Sequence, residues 1–293
     1  MKRIRIGFIG FGMMGKHMAM NLLKRGNNVV GYNRSKNVLQ ELKKLGLELA
    51  ASPKEVAERC EIIILMLPSH KETKEIIFRK DGLAMGLKRG QIVLDMSTSN
   101  PAETKKIMLR LRKKGITMLD APVSRGQTAA IKGTLSIMVG GDKKAFNKCL
   151  PVLKAMSNYI VHLGPFGSGM HVKALNNFLF GMNLLATSQG LAIIQKNKIN
   201  LEKAIGVIAE SSGNNEALGS IRRGLGQKHP AIGFYLKYMA KDMRIFSDVV
   251  KNQKIEHTLA KPVSDFLDKI SKKNQDKDAM YLFEHYVLMN KSR

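Results

Sequence analysis

The sequence predicts an α/β domain with a doubly wound and mostly parallel sheet, followed by an all-α C-terminal domain. In the first half of the 293 residues, short apolar and β-branched runs alternate with helical patterns, as in βαβ units. Beyond a glycine-rich hinge at 164–169, only helical patterns remain. We therefore divide the chain into an N-terminal domain over 1–164 and an all-α domain over 165–293.

The first domain contains seven predicted strands and four predicted helices. The strands are predicted at 3–9, 28–33, 62–67, 92–95, 117–119, 135–139 and 159–162, and the helices at 15–25, 36–45, 53–60 and 101–114. Ser52 and Glu55 form a capping box around Pro53, which marks the start of the third helix. The continuous apolar run at 62–67 ends at Pro68, which is typical of a strand that is buried on both faces.

The second domain begins with a long helix over 170–197, which spans about 42 Å at about 1.5 Å per residue. Its apolar side chains lie nearly all round, so we expect it to pack partly against its own chain and partly against a partner subunit. This pattern predicts a homodimer or homotetramer. Further helices are predicted at 201–211, 233–251, 258–272 and 279–288.

The composition is strongly basic, with 49 Lys and Arg against 23 Asp and Glu, which gives a net charge of +26. This charge favours an anionic partner. The basic residues occur as short pairs spread over helix surfaces, so we expect no specific nucleic-acid binding. No apolar stretch approaches about 18–20 residues, so we expect no membrane span. Two cysteines and an N-terminus unlike a signal peptide predict a cytoplasmic protein.

A G-x-G-x-x-G motif directly follows the first predicted strand and opens the first predicted helix. It consists of Gly10, Phe11, Gly12, Met13, Met14 and Gly15. In this context the glycines allow a tight turn, the close approach of a pyrophosphate and close packing of helix on sheet. The helix N-terminus then faces the phosphates with its amide groups. The motif predicts a Rossmann-type dinucleotide-binding domain.

The end of the second strand predicts which dinucleotide binds. An acid about 20 residues past the glycines would favour NAD, but this chain has Asn33, Arg34 and Ser35 there. Arg34 can pair with a 2′-phosphate. We therefore expect NADP(H) to be the preferred cofactor, with NAD(H) as the alternative.

Two further segments stand at the carboxyl ends of predicted strands, where ligands of open α/β sheets bind. Leu67 and Pro68 are candidates to line the path of the ribose and nicotinamide. Thr98 either contacts the nicotinamide ribose or simply belongs to the turn before the helix that starts at Pro101.

Four more motifs follow in order: 120–126 (Asp-Ala-Pro-Val-Ser-Arg-Gly), the glycine-flanked strand 133–141, the hinge 164–169 running into Lys173 and Asn177, and Lys241-Asp242. With the glycine motif, they stand in the order and spacing of the β-hydroxyacid dehydrogenases, which the chain resembles over nearly its whole length. The segment 133–141 is most similar to the branch of 3-hydroxyisobutyrate dehydrogenase and tartronate semialdehyde reductase.

The resemblance implies roles for several of these residues. Lys173 matches the family's catalytic lysine, and Asn177 lies four residues on, on the same helix face. A lysine can take the proton of a hydroxyl or return it to a carbonyl oxygen. The segment from Ser124 to Gly126 would bind the carboxylate of a small anionic substrate, and Lys241 would reach the nicotinamide.

The sequence departs from the family pattern at two positions. Arg125 stands where the family commonly has glycine, and it either contacts the substrate carboxylate, fills space otherwise used by substrate, or points outward. Gln189 replaces a glutamate that is frequent in the long helix. The histidines do not fall at metal-ligand spacing, so no metal site is predicted.

The resulting expectation is an NADP(H)-dependent oxidoreductase that interconverts a small β-hydroxyacid and its semialdehyde, such as a 3-hydroxyisobutyrate-like or a tartronate, succinic or glyoxylic semialdehyde-type substrate. Two alternatives remain. One is an imine reductase on the same scaffold, although those relatives usually lack the lysine at 173. The other is a non-catalytic nucleotide- or nucleic-acid-binding protein.

Overall fold

The computed structural model describes residues 4–35, 38–225 and 233–291. The chain forms two compact units, Met1–Lys173 and Ala174–Arg293. The division falls inside one continuous helix. The predicted starts at residues 3 and 36 lie outside the described residues.

In its described residues, the first unit is built on a nine-stranded sheet. Its strands are β1 (Arg5–Ile9), β2 (Asn28–Tyr32), β3 (Glu48–Leu49), β4 (Ile62–Leu65), β5 (Ile92–Asp95), β6 (Thr117–Asp120), β7 (Val123–Ser124), β8 (Leu135–Gly140) and β9 (Ser157–Gly164). Their order is β3-β2-β1-β4-β5-β6-β8-β7, with β9 also paired to β8. Neighbours from β3 to β6 are parallel, as are β8 and β9, whereas β8 is antiparallel to β6 and β7. The mostly parallel, doubly wound sheet is confirmed.

Helices cover the sheet because its strands carry apolar side chains on both faces. In β4, Ile62 and Ile64 belong to one buried cluster, and Ile63 and Leu65 belong to another. The helices of this unit are α1 (Gly15–Lys24), α2 (Leu39–Lys43), α3 (Pro53–Arg59), α4 (His70–Phe78), α5 (Leu83–Gly86), α6 (Pro101–Arg112), α7 (Gly126–Lys132) and α8 (Lys143–Leu153). The burial of β4 on both faces, predicted from its apolar run, is confirmed.

Several elements of the first unit are not among those that were predicted from the sequence. Strands β3 and β7 are two residues long, so period-two alternation cannot identify them. Helices α4, α5, α7 and α8 were also missed. Side-chain caps begin two of them: the Ser69 hydroxyl accepts the Lys71 N–H in α4, and the Asp142 carboxylate accepts the Ala145 N–H in α8.

The second unit is helical in its described residues. After α9 (Ser168–Lys196), which begins in the first unit, come α10 (Leu201–Ala209), α11 (Glu216–Gly224), α12 (Leu236–Asn252), α13 (Ala260–Lys273) and α14 (Tyr281–Lys291). A buried cluster joins these helices, and its members include Leu184, Met239, Met243 and Leu267. Between 174 and 291, the only strand-like pairing of described residues is a single bridge, so the all-α expectation is confirmed.

Helix α9 needs a correction. It is long and apolar enough to cross a membrane by length and composition, with a mean hydropathy of 1.2 in a window that is 39% buried. The expectation that no segment approaches that length was therefore wrong. A core helix of a soluble protein meets the same criterion. Apolar side chains of α9 are partly buried, as at Leu184, and partly exposed, as at Leu179 and Ile193.

Candidate active site

The glycine loop between β1 and α1 contains two glycines that the fold itself requires. Gly10 has a φ of +100°, and a Cβ there would lie 2.2 Å from the Met66 carbonyl oxygen. A Cβ on Gly15 would lie 1.9 Å from the Gly10 carbonyl oxygen. These distances leave no room for a side chain, because both neighbours are backbone atoms.

Gly12, the middle glycine, is different. It is exposed, its φ is not positive, and a Cβ there would have no heavy atom within 4 Å. The chain therefore provides no reason for a glycine at this position. The open space lies at the start of α1, where the first amide groups of a helix lack intrahelical partners and attract anions. This geometry fits a dinucleotide pyrophosphate.

The other residues of the motif contribute mainly to the core. Phe11 is 1% exposed, and its ring packs against Phe8 with centroids 5.1 Å apart. Its backbone N–H donates to the Asn33 Oδ1 at 3.3 Å. Met13 and Met14 are half-buried. Phe11 can therefore approach a cofactor through its backbone atoms more readily than through its side chain.

At the end of β2, Asn33 ties the strand to the glycine loop. Besides accepting the Phe11 N–H, its amide donates to the Ser35 carbonyl oxygen at 2.8 Å. Arg34 and Ser35 are exposed. Their position beside the glycine loop is the one expected for contacts to the adenosine ribose.

Arg34 also acts on an acid that the sequence reasoning missed. Burial by itself raises the pKa of Glu72, but a hydrogen bond from Ser69 (2.6 Å) and the charge of Arg34 bring it below its ordinary value. Glu72 lies in the first turn of α4, which follows β4. The spacing rule for the end of β2 could not find it, because the acid comes from a different βα connection.

Hydrogen bonds connect the segments that follow β4 and β5 beside the glycine loop. The Leu67 N–H donates to the Ser97 hydroxyl at 3.0 Å, and the Ser97 N–H donates to the Asp95 carboxylate at 3.1 Å. Ser97 and Asp95 are fully buried, Leu67 and Thr98 are half-buried, and Pro68 is exposed. These bonds connect the two loops that carry Leu67 and Thr98, which follow β4 and β5 at the carboxyl edge of the sheet.

Arg125 has a left-handed backbone, with a φ of +80°. Its exposed side chain donates to the Thr134 carbonyl oxygen (3.4 Å) and to the Asn158 side chain (3.3 Å). The structure therefore favours the outward-pointing alternative. Glycine at this position in relatives is explained by the positive φ. Ser124 is half-buried at the end of β7, and Gly126 begins α7 with a φ of +67°.

Asp120, at the end of β6, holds the start of α9. Its Oδ1 accepts the Gly167 N–H at 2.7 Å, and its Oδ2 accepts the Met170 N–H at 2.9 Å. Burial raises the pKa of this carboxyl above its ordinary value, although the backbone N–H groups work in the opposite direction. In the sequence, Asp120 is marked only as the first residue of the motif 120–126.

Lys173 lies on α9, five residues after its first residue, and is only 7% exposed. Lysine is rarely buried without a specific reason, because its charged form is expensive to desolvate. Lys173, unlike most lysines of this basic chain, is thus placed in the interior. This burial is the strongest structural mark of a chemical role.

In the second unit, Asn177, Lys241 and Asp242 form one cluster. The Asn177 amide donates to the Asp242 Oδ2 at 2.5 Å, and the Lys241 Nζ lies 3.2 Å from the Asp242 Oδ1. Asp242 is 2% exposed, so both contacts are largely shielded from water. The carboxylate orients the Asn177 side chain and pairs with the neighbouring ammonium. Gln189 is exposed on α9, away from these polar contacts.

Within the part of the chain that the structure describes, no group of three or more His, Cys, Asp or Glu side chains could hold a metal ion. The candidate residues of the first unit are the glycine loop and the strand ends around it, Ser124 and Lys173. Those of the second unit are the cluster of Asn177, Lys241 and Asp242.

Comparison with known families covers nearly all of the chain. Residues 5–164 match the family described as the NAD binding domain of 6-phosphogluconate dehydrogenase. Residues 167–286 match the family described as NAD-binding of NADP-dependent 3-hydroxyisobutyrate dehydrogenase. Gly10, Lys173 and Asp242 all lie inside these matches.

Individual relatives agree with these families. A probable mitochondrial 3-hydroxyisobutyrate dehydrogenase of Dictyostelium discoideum is 34% identical over 254 residues, which cover 84% of this chain and 79% of that protein. The NAD-dependent L-serine dehydrogenase of Pseudomonas aeruginosa is 33% identical, with 84% and 85% covered. The solved structure of Mycobacterium tuberculosis 3-hydroxyisobutyrate dehydrogenase with L-serine has a TM-score of 0.85 at 25% identity, with 96% and 98% covered.

The family matches, the relatives and the dinucleotide-binding fold confirm the resemblance noted in the sequence: the chain belongs to the β-hydroxyacid dehydrogenase family, as an oxidoreductase related to 3-hydroxyisobutyrate dehydrogenase.

Proposed function

We propose that the chain is an NADP(H)-dependent oxidoreductase that interconverts a small β-hydroxyacid and its semialdehyde. The observation that carries the proposal is the buried lysine, Lys173, on a helix whose first turn is held by a buried carboxylate. Relatives named as dehydrogenases of 3-hydroxyisobutyrate and L-serine support a short substrate with a carboxylate and a hydroxyl.

When bound, the nicotinamide supplies the acceptor or the donor of the hydride. The protein itself must transfer the proton. Lys173 takes the hydroxyl proton at Nζ during oxidation and returns it to the carbonyl oxygen during reduction. Low exposure keeps bulk water from competing for that proton.

Asn177 would hold the reacting oxygen, because it lies one helical turn beyond Lys173 and shares its helix face. Asp242 accepts from the Asn177 amide nitrogen, and the Asn177 Oδ1 accepts from the Asn176 amide at 3.1 Å, so both ends of the Asn177 side chain are fixed. Lys241 adds a positive charge on the other oxygen of Asp242. The cluster thus presents a fixed amide and a cation to an anionic substrate or cofactor.

The test of Lys173 is its replacement by alanine. Lys173→Ala should lower kcat by about 100-fold or more, since general acid–base catalysis contributes about 10²–10⁴-fold, and should leave the Kd for NADPH nearly unchanged. Lys196→Ala is the matched control, because Lys196 is an exposed lysine at the other end of the same helix. Retention of most activity by Lys173→Ala would contradict the assignment.

The preference for NADP(H) rests on Arg34, which stands where NAD-binding domains of this fold commonly carry an acid. The carboxylate of Glu72 interacts electrostatically with Arg34. Its negative charge would repel a 2′-phosphate bound at that arginine. The relatives do not agree on the cofactor, because one family description names NADP and one relative is NAD-dependent. The deciding measurement is kcat/KM with each cofactor.

Arg34→Ala should lower kcat/KM about tenfold or more with NADPH and should change kcat/KM with NADH only slightly. A wild-type preference for NADH would refute the proposal.

The substrate class rests on the segment around Ser124, which ends β7 and begins α7. The Ser124 hydroxyl and the backbone N–H groups that follow can hold a carboxylate. A panel of glyoxylate and of succinic, tartronate and methylmalonate semialdehydes, together with the matching hydroxyacids, would identify the substrate. Equal activity on an uncharged aldehyde of similar size would contradict the requirement for a substrate carboxylate.

We also propose that the protein forms a homodimer or homotetramer. Helix α9 leaves the apolar side chains of Leu175 (45%), Leu179 (52%) and Ile193 (56%) exposed in a single chain. Apolar surface of this kind is commonly covered by association. Light scattering of the purified protein tests this, and a stable monomer at micromolar concentration would contradict it.

A further inference from the structure

We propose that Asp120 is a positioning residue for the reaction: its carboxylate fixes the first turn of α9 and thereby the place of Lys173. The inference rests on the proposed role of Lys173. Asp120 belongs to β6, and it reaches the Gly167 and Met170 amides across 47 and 50 residues of chain. Each of its oxygens accepts at least one backbone N–H.

Two glycines pack closely against the Asp120 carboxylate and leave no space for side chains at their positions. A Cβ on Gly140 would lie 2.4 Å from its Oδ1, and a Cβ on Gly169 would lie 2.9 Å from its Oδ2. Gly169 also lies against the Met138 backbone, where a Cβ would come within 2.2 Å of the carbonyl oxygen. Two glycines thus make the room in which strand and helix close around the carboxylate, and Asp120 itself is fully buried.

The carboxylate cannot be replaced by a neutral group of the same size without loss. The first amides of α9 are donors, and both oxygens of Asp120 face them. An asparagine would present an NH₂ group to one of these donors, leaving a buried N–H without an acceptor, which costs about 1–3 kcal/mol. The positive end of the helix dipole also favours a negative charge at this point.

Lys173 follows Met170 by three residues, which is nearly one turn of the same helix. A shift of the first turn therefore moves the Lys173 Nζ directly. Displacement of a catalytic group by about 1 Å can lower the rate about 100-fold. The glycine loop follows β1, which is separated from β6 by β4 and β5 in the sheet, so cofactor binding should be less affected.

The test compares Asp120→Asn with Asp142→Asn. Asp142 is a matched control, since its carboxylate also accepts a helix N-terminal amide (Ala145 N–H, 2.7 Å), but its helix α8 carries none of the proposed site residues. Asp120→Asn should lower kcat about 10- to 100-fold, with the KM for substrate and the Kd for NADPH within about threefold. Asp142→Asn should lower the Tm and leave kcat unchanged.

A second readout needs no activity. Hydrogen exchange followed by mass spectrometry should show faster exchange of the 164–176 segment in Asp120→Asn, and no change there in Asp142→Asn. If the wild-type protein turns over no hydroxyacid, the proposed function fails, and the exchange of this segment alone decides whether Asp120 fixes the helix start. Asp120→Ser, which keeps one hydroxyl acceptor, provides the same comparison if Asp120→Asn does not fold. An unchanged kcat in a folded variant, or unchanged exchange of 164–176, would overturn the inference.

Discussion

Replacing Gly12 by alanine should separate cofactor binding from stability. The added methyl group meets no atom of the chain within 4 Å, and the backbone has no positive φ. The free energy of unfolding should therefore stay within about 1 kcal/mol of the wild-type value or rise slightly, because alanine restricts the unfolded chain more than glycine does.

The same methyl group should weaken NADPH binding strongly. It occupies the open space at the start of α1, so the pyrophosphate can no longer approach the backbone. Loss of two hydrogen bonds to a charged group, at about 1.5 kcal/mol each, amounts to about 3 kcal/mol. At about 1.4 kcal/mol per tenfold change, the Kd for NADPH should rise about 100-fold.

Gly15→Ala is the contrasting variant. Its Cβ would lie 1.9 Å from the Gly10 carbonyl oxygen, so α1 must move away from the turn, and the variant should lose about 1–3 kcal/mol of stability. The Tm can be followed by circular dichroism. NADPH binding can be followed by the fluorescence of NADPH itself, since the chain contains no tryptophan. A folded Gly12→Ala variant with an unchanged Kd would refute the reasoning, as would one destabilised to the extent of Gly15→Ala.

Three further predictions concern side chains. Asp242→Asn removes the carboxylate that holds the Asn177 amide at 2.5 Å, so kcat should fall about tenfold or more, measured by steady-state kinetics; an unchanged kcat would contradict this role. Arg125→Gly should relieve the positive φ and raise the free energy of unfolding by up to about 1 kcal/mol, as thermal unfolding would show. Its kcat/KM should stay within about threefold of the wild-type value. A much larger loss of kcat/KM would indicate that the guanidinium contacts the substrate. Burial raises the pKa of Cys60 and of Cys149 to about 12, so neither thiol should react with iodoacetamide at pH 8 until the protein unfolds; rapid alkylation of the native protein would contradict this.

The periodic part of the fold could be predicted from the sequence because it depends on local signals. The apolar run of β5 was predicted with its observed bounds, Ile92–Asp95, and the cap at Asn100 with Pro101 marks the observed start of α6. The two-residue strands β3 and β7 have no such signal, because they exist only through pairing with a neighbouring strand. The long helix was predicted within two residues of its start and one of its end.

Side-chain partners far apart in the chain could not be predicted in the same way. Asp242 and Lys241 are adjacent in the chain, but the hydrogen bond from Asn177 to Asp242 spans 65 residues. The same holds for Glu72 and Arg34, which come from different βα connections.

The sequence alone determined the fold class, the glycine loop and the family motifs, because each depends on residue types at short, fixed spacings. Only the tertiary structure decided which glycines the backbone requires, that Arg125 points outward, and that Asp120 holds the helix of Lys173. The physical reason is that burial and hydrogen-bond partners depend on which segments the fold brings together. A carboxylate at the end of one strand acquires its role only when a helix that begins nearly fifty residues later closes over it.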